Sequence, residues 1–366
     1  MCGNSKAQDL ERICMYLPER LKNTVGRIKP EFAACLEEVR LNAGLPLMGV
    51  FAGCDKFIIE DGSFTSIPEK AFHVNREEME DLFYRLCEHS VYAYQDDIAR
   101  GFITLQGGYR AGICGKIVYL GDSVKSIKEI SSVCIRISRQ MKGCAENLFP
   151  YIKMNDRDIY NTLIISPPRC GKTTILRDIC RIISTGSEDD NFTGLRTAVI
   201  DERSEIAACY RGVVQNDCGP RTDVLDGCRK SEGIEMMLRG MSPAVIIVDE
   251  LGAKKDAESI RMAWNAGVRI VATAHAFDLD DLKGRLGLGV LASKSGFERY
   301  IVLGIRDGKR WVKVMDAYGN ELFNNNEASG VFDGIRRLHG DRFEVFREAE
   351  GEAACALEAE RHTLFP

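Results

Sequence analysis

Apolar runs alternate with helical patterns along the second part of the chain, from about residue 150 onward. Each run is short and continuously apolar, which is typical of a parallel strand whose two faces are covered by helices. A helix predicted over 172–184 places its apolar residues on one face. Four strands are predicted at Thr162–Ser166, Thr197–Asp201, Ala244–Asp249 and Val268–Thr273. Two more, near Tyr300–Leu303 and Trp311–Met315, are expected to close the sheet, so this part is predicted to be α/β with a mostly parallel sheet.

The first part of the chain has a different pattern, in which short strands bounded by Gly or Pro are mixed with helices. One helix is predicted over 75–95, with Asn75 as its N-cap. The segment GFITLQGGYRAGICGKIVYLG follows and is rich in strand-forming residues, with Gly107-Gly108 as a hairpin turn. We therefore expect three regions: an N-terminal α+β domain over 1–150, an α/β domain over 151–323, and a charged, partly helical appendage over 324–366.

Composition limits the class of protein. At roughly 150 residues per domain, 366 residues predict two domains and a small extra piece. The net charge is 49 − 54 = −5, which argues against a generally basic surface for nucleic acid. Fourteen cysteines occur without a CxxC pair, which favours buried thiols in a reducing compartment over zinc or disulfides. No signal peptide and no transmembrane segment are predicted, since no apolar run approaches the roughly 20 residues that span a bilayer, and we expect a cytoplasmic protein.

The segment SPPRCGKTT, residues 166–174, carries the sharpest chemical signal. It follows a predicted strand and opens a predicted helix, as the P-loop pattern GxxxxGK[ST] requires. Backbone N–H groups of such a loop wrap a phosphate, the lysine reaches the β- and γ-phosphates, and the threonine hydroxyl holds Mg²⁺. Ser166 stands where the pattern has its first glycine. We assign ATP binding to Pro168, Arg169, Cys170, Gly171, Lys172, Thr173 and Thr174, with Thr173 also a ligand of Mg²⁺.

Three further strand ends carry polar residues that a nucleotide site can use. The apolar strand AVIIV ends in Asp249, predicted to assist Mg²⁺ binding, and Glu250, predicted to be the general base. The segment VIDERSEIA delivers Asp201, Glu202 and Arg203 to the same edge of the sheet, where acids can orient water or magnesium. In VATAHA, Thr273 and His275 end another strand, where a polar side chain can sense the γ-phosphate.

These segments together resemble one family. Three segments look like the stage III sporulation protein AA family: SPPRCGKTTILRDICR, VIDERSEIAACYRGVVQNDCGPRTDVLDGCRKSEGIEMMLRGMSPAVIIVDELG and NAGVRIVATAHA. Three upstream segments look like the same family: EEVRLNAGLPL, GFITLQGGYRAGICGK and CIRISRQ. The resemblance covers about residues 30–305. More distantly, the order of P-loop, acidic box, Walker B and His box is similar to that of type II/IV secretion and pilus-motor ATPases.

The resemblance implies a RecA-like P-loop core of the additional-strand, catalytic-glutamate type, ATP hydrolysis and hexameric rings. It also implies a role in endospore formation, on the mother-cell side of the channel to the forespore, bound to membrane components of that apparatus. Carried over by position, Lys172 and Thr173 match Walker A, Asp249 and Glu250 match Walker B, Glu202 and Glu205 match the acidic box, and His275 matches the His box.

An arginine that contacts the γ-phosphate is expected in a ring motor, because such a charge speeds phosphoryl transfer by about 10³–10⁵. Arg221 and Arg203 are preferred over Arg110 for this role. Two other functions stay open: a nucleotide-gated scaffold with little turnover, which Ser166 motivates, and a nucleic-acid-linked RecA-like ATPase. The acidic net charge and the lack of a basic run make nucleic acid an unlikely partner.

Overall fold

The computed structural model describes residues 3–325, apart from 52, 253, 285–290, 292–295 and 307–308. Within it the chain forms two compact units that divide between Arg139 and Gln140. Residues 140–150, which the sequence pattern assigns to the first domain, group with the second unit. The predicted appendage over 324–366 lies outside the described residues, apart from the end of the last strand.

The first unit is an antiparallel sheet with helices, as an α+β domain requires. Its strands run in the order β4-β3-β2-β1-β7-β6-β5, and every pair is antiparallel. The helices are α1 Gly3–Cys14, α2 Glu19–Gly26, α3 Pro30–Ala33, α4 Arg76–Leu86 and α5 Gln95–Arg100, with 3₁₀ turns at Pro68–Lys70 and Val91–Tyr94. The strands are β1 Leu36–Asn42, β2 Met48–Phe51, β3 Cys54–Ile58, β4 Phe64–Thr65, β5 Phe102–Thr104, β6 Arg110–Leu120 and β7 Ser123–Arg136.

Two local predictions for this unit are confirmed. Asn75 caps α4 through its side chain, which accepts from Glu78 N at 2.8 Å, while the Glu78 carboxylate accepts from Asn75 N, completing a capping box. Gly107 and Gly108 turn the chain between β5 and β6, and both have positive φ. The helix is shorter than predicted, because it ends at Leu86 and a separate 3₁₀ turn follows.

The second unit holds the predicted α/β pattern. Its helices are α6 Phe149–Ile152, α7 Lys172–Thr185, α8 Lys230–Gly240, α9 Lys254–Asn265 and α10 Leu279–Gly284, with a 3₁₀ turn at Glu146–Leu148. Its strands are β8 Lys153–Asn155, β9 Asp158–Ile159, β10 Thr162–Ser166, β11 Gly186–Ser187, β12 Phe192–Thr193, β13 Thr197–Asp201, β14 Thr222–Asp226, β15 Val245–Leu251, β16 Arg269–His275, β17 Arg299–Arg306, β18 Lys309–Asp316 and β19 Glu321–Asn325.

The main sheet of this unit has eight strands in the order β14-β13-β15-β16-β10-β17-β18-β19. The strands from β14 to β17 are parallel, and β18 and β19 extend the sheet antiparallel. All residues of β10 and β13 are buried, which explains the run of apolar residues at the centre of each strand. The carboxyl ends of β10, β13, β15 and β16 therefore meet at one edge of the sheet, where ligands bind in folds of this type.

The segment after the unit boundary is attached to α7 by a buried carboxylate. Asp178, 1% exposed, accepts from the backbone N–H groups of Gly143 (3.1 Å) and Ala145 (2.8 Å). Arg181, one turn further along the helix, donates to the same carboxylate at 2.7 Å. These bonds make residues 143–145 part of the structure around the helix that opens with the P-loop lysine.

The described cysteines are all free thiols. Burial raises the pKa of Cys144 well above its ordinary value and that of Cys87 to about 12, so these thiols stay protonated near neutral pH.

Among the helices of the described ranges, none is both long and apolar enough to cross a membrane.

Candidate functional site

The phosphate-binding loop connects the end of β10 to the start of α7. Ser166 is the last residue of β10, is fully buried and pairs with His275 on β16. The left-handed residues of the loop are Arg169, at φ 63°, and Gly171, at φ 99°. Ser166 thus keeps strand geometry, so the position that carries glycine in the P-loop pattern accepts serine here without backbone strain.

The loop's other predicted ligands differ in what they offer. Pro168 has no N–H, so the backbone donors of the loop begin at Arg169. The Cys170 thiol is buried and donates to the Pro168 carbonyl at 3.7 Å, which closes the turn from inside. The Thr174 carbonyl accepts from the Cys144 thiol at 3.8 Å.

Lys172 is the first residue of α7, and its side chain turns back across the loop. Its Nζ donates to Ser166 O (3.2 Å), Ser166 Oγ (3.3 Å) and Pro167 O (3.3 Å), and it lies 3.0 Å from His275 Nδ1. Burial lowers the pKa of Lys172, while the charges of Asp249 and Glu250 act in the opposite direction. The ammonium therefore sits among exchangeable oxygen acceptors, which phosphate oxygens can replace.

Thr173 and Asp249 provide the oxygen atoms that suit Mg²⁺. The Thr173 hydroxyl donates to Asp249 Oδ2 at 2.9 Å. Hydroxyl and carboxylate oxygens are ligands that Mg²⁺ prefers, usually one or two from the protein beside phosphate oxygens and water. No set of three or more His, Cys, Asp or Glu side chains in the described ranges is arranged to hold a metal alone. The pair thus fits a magnesium ion held jointly with a nucleotide.

Glu250 is surrounded by two of the other predicted residues. Its Oε2 lies 2.5 Å from a guanidinium nitrogen of Arg203, and its Oε1 lies 3.4 Å from His275 Nε2. On the other side of the imidazole ring, His275 Nδ1 lies 3.0 Å from Lys172 Nζ. Lys172, His275, Glu250 and Arg203 therefore form a continuous polar chain from the phosphate loop to the predicted base.

The acidic box folds around the carboxylate of Asp201, which is 1% exposed. Asp201 Oδ1 accepts from Glu205 N at 2.8 Å, and Oδ2 accepts from Ile206 N at 3.0 Å and Ala207 N at 2.8 Å. Burial raises the pKa of Asp201, and these N–H groups oppose that shift. The loop after β13 is thus fixed from inside by a side chain that does not face solvent.

Two residues that the sequence analysis missed support this loop. Arg177, buried on α7, donates to the carbonyls of Ile206 (2.7 Å) and Glu205 (2.5 Å). Lys230, at the start of α8, pairs with Glu202. Arg177 gave no signal in sequence, because an arginine inside an amphipathic helix is usually exposed. The cleft that results is lined by Asp201, Glu202, Arg203, Glu205, Lys230, Asp249 and Glu250.

Arg221 is not brought to this cleft. Its guanidinium donates to the carbonyls of Ser184 (2.8 Å) and Thr185 (3.1 Å), the last residues of α7. A helix rises about 1.5 Å per residue, so this end is about 20 Å from the P-loop end of the same helix. Arg203 is the predicted arginine that reaches the site within one chain.

Comparison with known proteins agrees with the fold and with the sequence resemblance. The family model described as sporulation stage III, protein AA, matches residues 6–322. The chain is 38% identical to the stage III sporulation protein AA of Bacillus subtilis over 314 residues, which covers 86% of this chain and 97% of that protein. An uncharacterized protein ycf45 of Porphyra purpurea is 27% identical over 207 residues, 56% of this chain and 34% of that one.

Two solved structures show the same fold at low sequence identity. The pilus retraction motor PilT with bound ADP superposes with a TM-score of 0.52 at 14% identity, over 86% of each chain. The ATPase DotB of Yersinia pseudotuberculosis gives a TM-score of 0.51 at 14% identity, over 87% of this chain and 83% of that one. The predicted fold class, a mostly parallel P-loop core with an N-terminal α+β unit, is therefore confirmed. Together with the family match over most of its length, this places the chain in the stage III sporulation protein AA family.

Proposed function

We propose that this protein is a Mg²⁺-dependent ATPase that works as a homo-oligomeric ring, with six subunits, in the sporulation channel between mother cell and forespore. The observation that carries the proposal is the convergence of Lys172, Thr173, Asp249 and Glu250 at the carboxyl edge of one parallel sheet. The family membership supports the sporulation role, and the likeness to pilus and secretion ATPases supports the fold that the activity needs.

Phosphate binding is assigned to the loop and the start of α7. Backbone N–H groups from Arg169 onward are assigned as the phosphate donors, and the N-terminus of the 14-residue helix adds partial positive charge. Lys172 exchanges its bonds to Ser166 and Pro167 for the β- and γ-phosphate oxygens. A magnesium ion held by Thr173 and Asp249 would neutralise charge that develops on the phosphates.

Glu250 is assigned as general base. Its carboxylate takes a proton from a water molecule as the water oxygen attacks the γ-phosphorus, and the bond to the bridging oxygen of ADP breaks. Arg203 and His275, which flank the two carboxylate oxygens, orient the base and lie close to where the γ-phosphate charge moves. Glu202 and Glu205, on the acidic loop, are assigned to ordering water or magnesium.

Partners and location follow from the family alone. We infer membrane components of the channel apparatus as partners, on the mother-cell side. The competing function is a nucleotide-gated scaffold that binds ATP with little turnover, in which the contacts of Arg203 and His275 would hold Glu250 away from water instead of orienting it.

The deciding experiment measures steady-state ATP hydrolysis against protein concentration, with the mass in solution determined in parallel. Lys172→Ala should abolish nucleotide binding, whereas Glu250→Gln should retain it and lose turnover by about 10²-fold or more. Activity per subunit should rise as rings form. Turnover of the wild type no higher than that of Glu250→Gln, with ATP bound, would support the scaffold instead.

A further inference from the structure

Asp249 and Glu250 are adjacent in sequence, yet both side chains serve the same cleft. In a regular strand, consecutive side chains point to opposite faces of the sheet. Here Asp249 reaches Thr173 at 2.9 Å, while Glu250 reaches His275 and Arg203. A local departure from regular strand geometry must therefore direct the side chain of Glu250 to the same cleft as that of Asp249.

The pairing of β15 with β16 contains that departure. Val248 is opposite Ala272 and Leu251 is opposite Ala274, so two residues of β15 stand against the single residue Thr273. This is a β-bulge, in which the extra residue bends the strand and re-aims a side chain. Glu250 itself has φ 50°, in the left-handed region that residues other than glycine rarely occupy.

The residue opposite the bulge bonds to both acids. The Thr273 hydroxyl donates its one hydrogen to Asp249 Oδ1 and accepts from Glu250 N at 2.8 Å. One side chain thus orients the carboxylate of the first acid and holds the backbone of the second in its unusual conformation. Thr273 is fully buried, so its hydroxyl is engaged inside the protein rather than offered to a phosphate.

We propose that Thr273 is a positioning residue that sets the geometry of both Walker B acids, through the bulge opposite it, and does not contact the nucleotide. The proposal rests on the ATPase function above. It replaces the sequence expectation that a polar side chain at Thr273 senses the γ-phosphate directly.

The test compares Thr273→Val, which keeps the shape and removes the hydroxyl, with Thr273→Ser, which keeps the hydroxyl and removes a methyl. Thr273→Val should lower kcat by about 100-fold, since small misplacements of reacting groups have effects of that size. The KM for MgATP should rise as well, because a misoriented Asp249 weakens the Mg²⁺ contribution to binding, while nucleotide affinity without Mg²⁺ should stay near the wild-type value, since Lys172 and the loop are unchanged. Thr273→Ser should retain most of the wild-type kcat.

Thr162→Val is the matched control. Thr162 is fully buried in β10, beside β16, and its hydroxyl bonds only to Tyr160 O (2.8 Å) among the bonds described, at the opposite end of the strand from the P-loop. It reports the general effect of replacing a buried threonine in this sheet, and it should keep kcat. Equal losses in Thr273→Val and Thr162→Val, or in Thr273→Val and Thr273→Ser, would overturn the proposal.

A second readout separates this proposal from the ATPase assignment. Binding of a fluorescent ADP analogue should tighten when Mg²⁺ is added to the wild type and to Thr273→Ser, and that gain should be lost in Thr273→Val, because Asp249 is then misoriented. If the wild type has no turnover but this pattern holds, the ATPase proposal fails and the positioning role stands. If Thr273→Val keeps the full Mg²⁺ gain and the full kcat, the positioning role fails.

Discussion

At the scale of single residues, the site depends on side chains whose surroundings change their usual chemistry. Lys172 is a buried ammonium with a lowered pKa, held by oxygen acceptors of its own loop. Glu250 adopts a left-handed backbone that positions its carboxylate between Arg203 and His275. Ser166, which departs from the P-loop pattern, is by contrast an ordinary strand residue, and this predicts how the position responds to substitution.

Ser166→Gly restores the first glycine of the pattern and should not raise activity. Glycine loses about 0.5–1 kcal/mol more backbone entropy on folding than other residues, so a small loss of stability is expected. The kcat should change by less than about fivefold, equivalent to about 1 kcal/mol in the barrier. Urea unfolding and steady-state hydrolysis measure the two effects. A large gain in turnover would show that serine restrains the loop.

At the scale of elements, α7 links three parts of the second unit. Its first residue is the P-loop lysine, Arg177 holds the acidic loop, and its last carbonyls accept from Arg221. The acidic loop in turn wraps around Asp201. Contacts of this kind fix loop geometry. Substitutions at Arg177, Asp201 or Arg221 should therefore lower the free energy of unfolding before they affect turnover.

Asp201→Asn keeps the shape of the side chain but places an amide NH₂ against backbone N–H groups. At least one buried N–H then lacks an acceptor, and the free energy of unfolding should fall by about 1–3 kcal/mol. Urea denaturation measures this change. Asp223→Asn, an exposed carboxylate on β14, is the control and should change stability by less than about 0.5 kcal/mol. Equal effects of the two substitutions would contradict the buried-acceptor role of Asp201.

Arg221→Met tests the arginine at the other end of α7. The substitution removes two charge-assisted hydrogen bonds to the last carbonyls of the helix, so unfolding should become easier by about 1–2 kcal/mol. Thermal and urea unfolding are the measurements, with Arg221→Lys expected to retain part of the stability. A loss of turnover by about 10³-fold without a loss of stability would instead indicate an arginine that acts on the γ-phosphate of a neighbouring subunit.

Sequence patterns were sufficient to predict the strands whose residues are uniformly buried. They were insufficient where the conformation depends on the pairing register of two strands. Strands β10 and β13 are buried throughout, with apolar residues between polar ends, and were predicted with their observed bounds. Strand β14 (TDVLD) was missed, because a half-exposed edge strand alternates with polar residues. The bulge at Glu250 depends on the pairing of two strands distant in sequence, so no local pattern could indicate it.

At the scale of the whole molecule, the chain consists of an antiparallel unit followed by a P-loop unit, and the second contains every predicted site residue. The contact between Arg203 and Glu250 lies within one chain. In the proposed ring, each subunit would then use its own Arg203 beside its own Glu250. A neighbouring subunit would not need to supply that arginine.

Mixing two impaired variants distinguishes an Arg203 that acts within its own chain from one that acts on a neighbouring subunit. Arg203→Ala alone should lower kcat by about 10- to 100-fold. If Arg203 serves the Glu250 of its own chain, rings mixed from Arg203→Ala and Glu250→Gln subunits contain no complete site, and activity should stay at the level of the single variants. If it served a neighbour, equal mixing would restore about a quarter of the sites, as head-to-tail contacts in a ring require. Wild-type subunits mixed with Glu250→Gln control for subunit exchange.

The bonds from Asp178 to Gly143 and Ala145 have a practical consequence for dissecting the protein. A fragment that begins at 151, where the sequence pattern changes, removes both N–H partners of a carboxylate that is 1% exposed. Only the bond from Arg181 among the three described then remains, and a buried carboxylate that loses two hydrogen-bond donors is unfavourable on the P-loop helix itself. A fragment that begins at Gln140 keeps both partners, and we expect it to be the shorter form of this protein that can be purified folded and able to bind nucleotide.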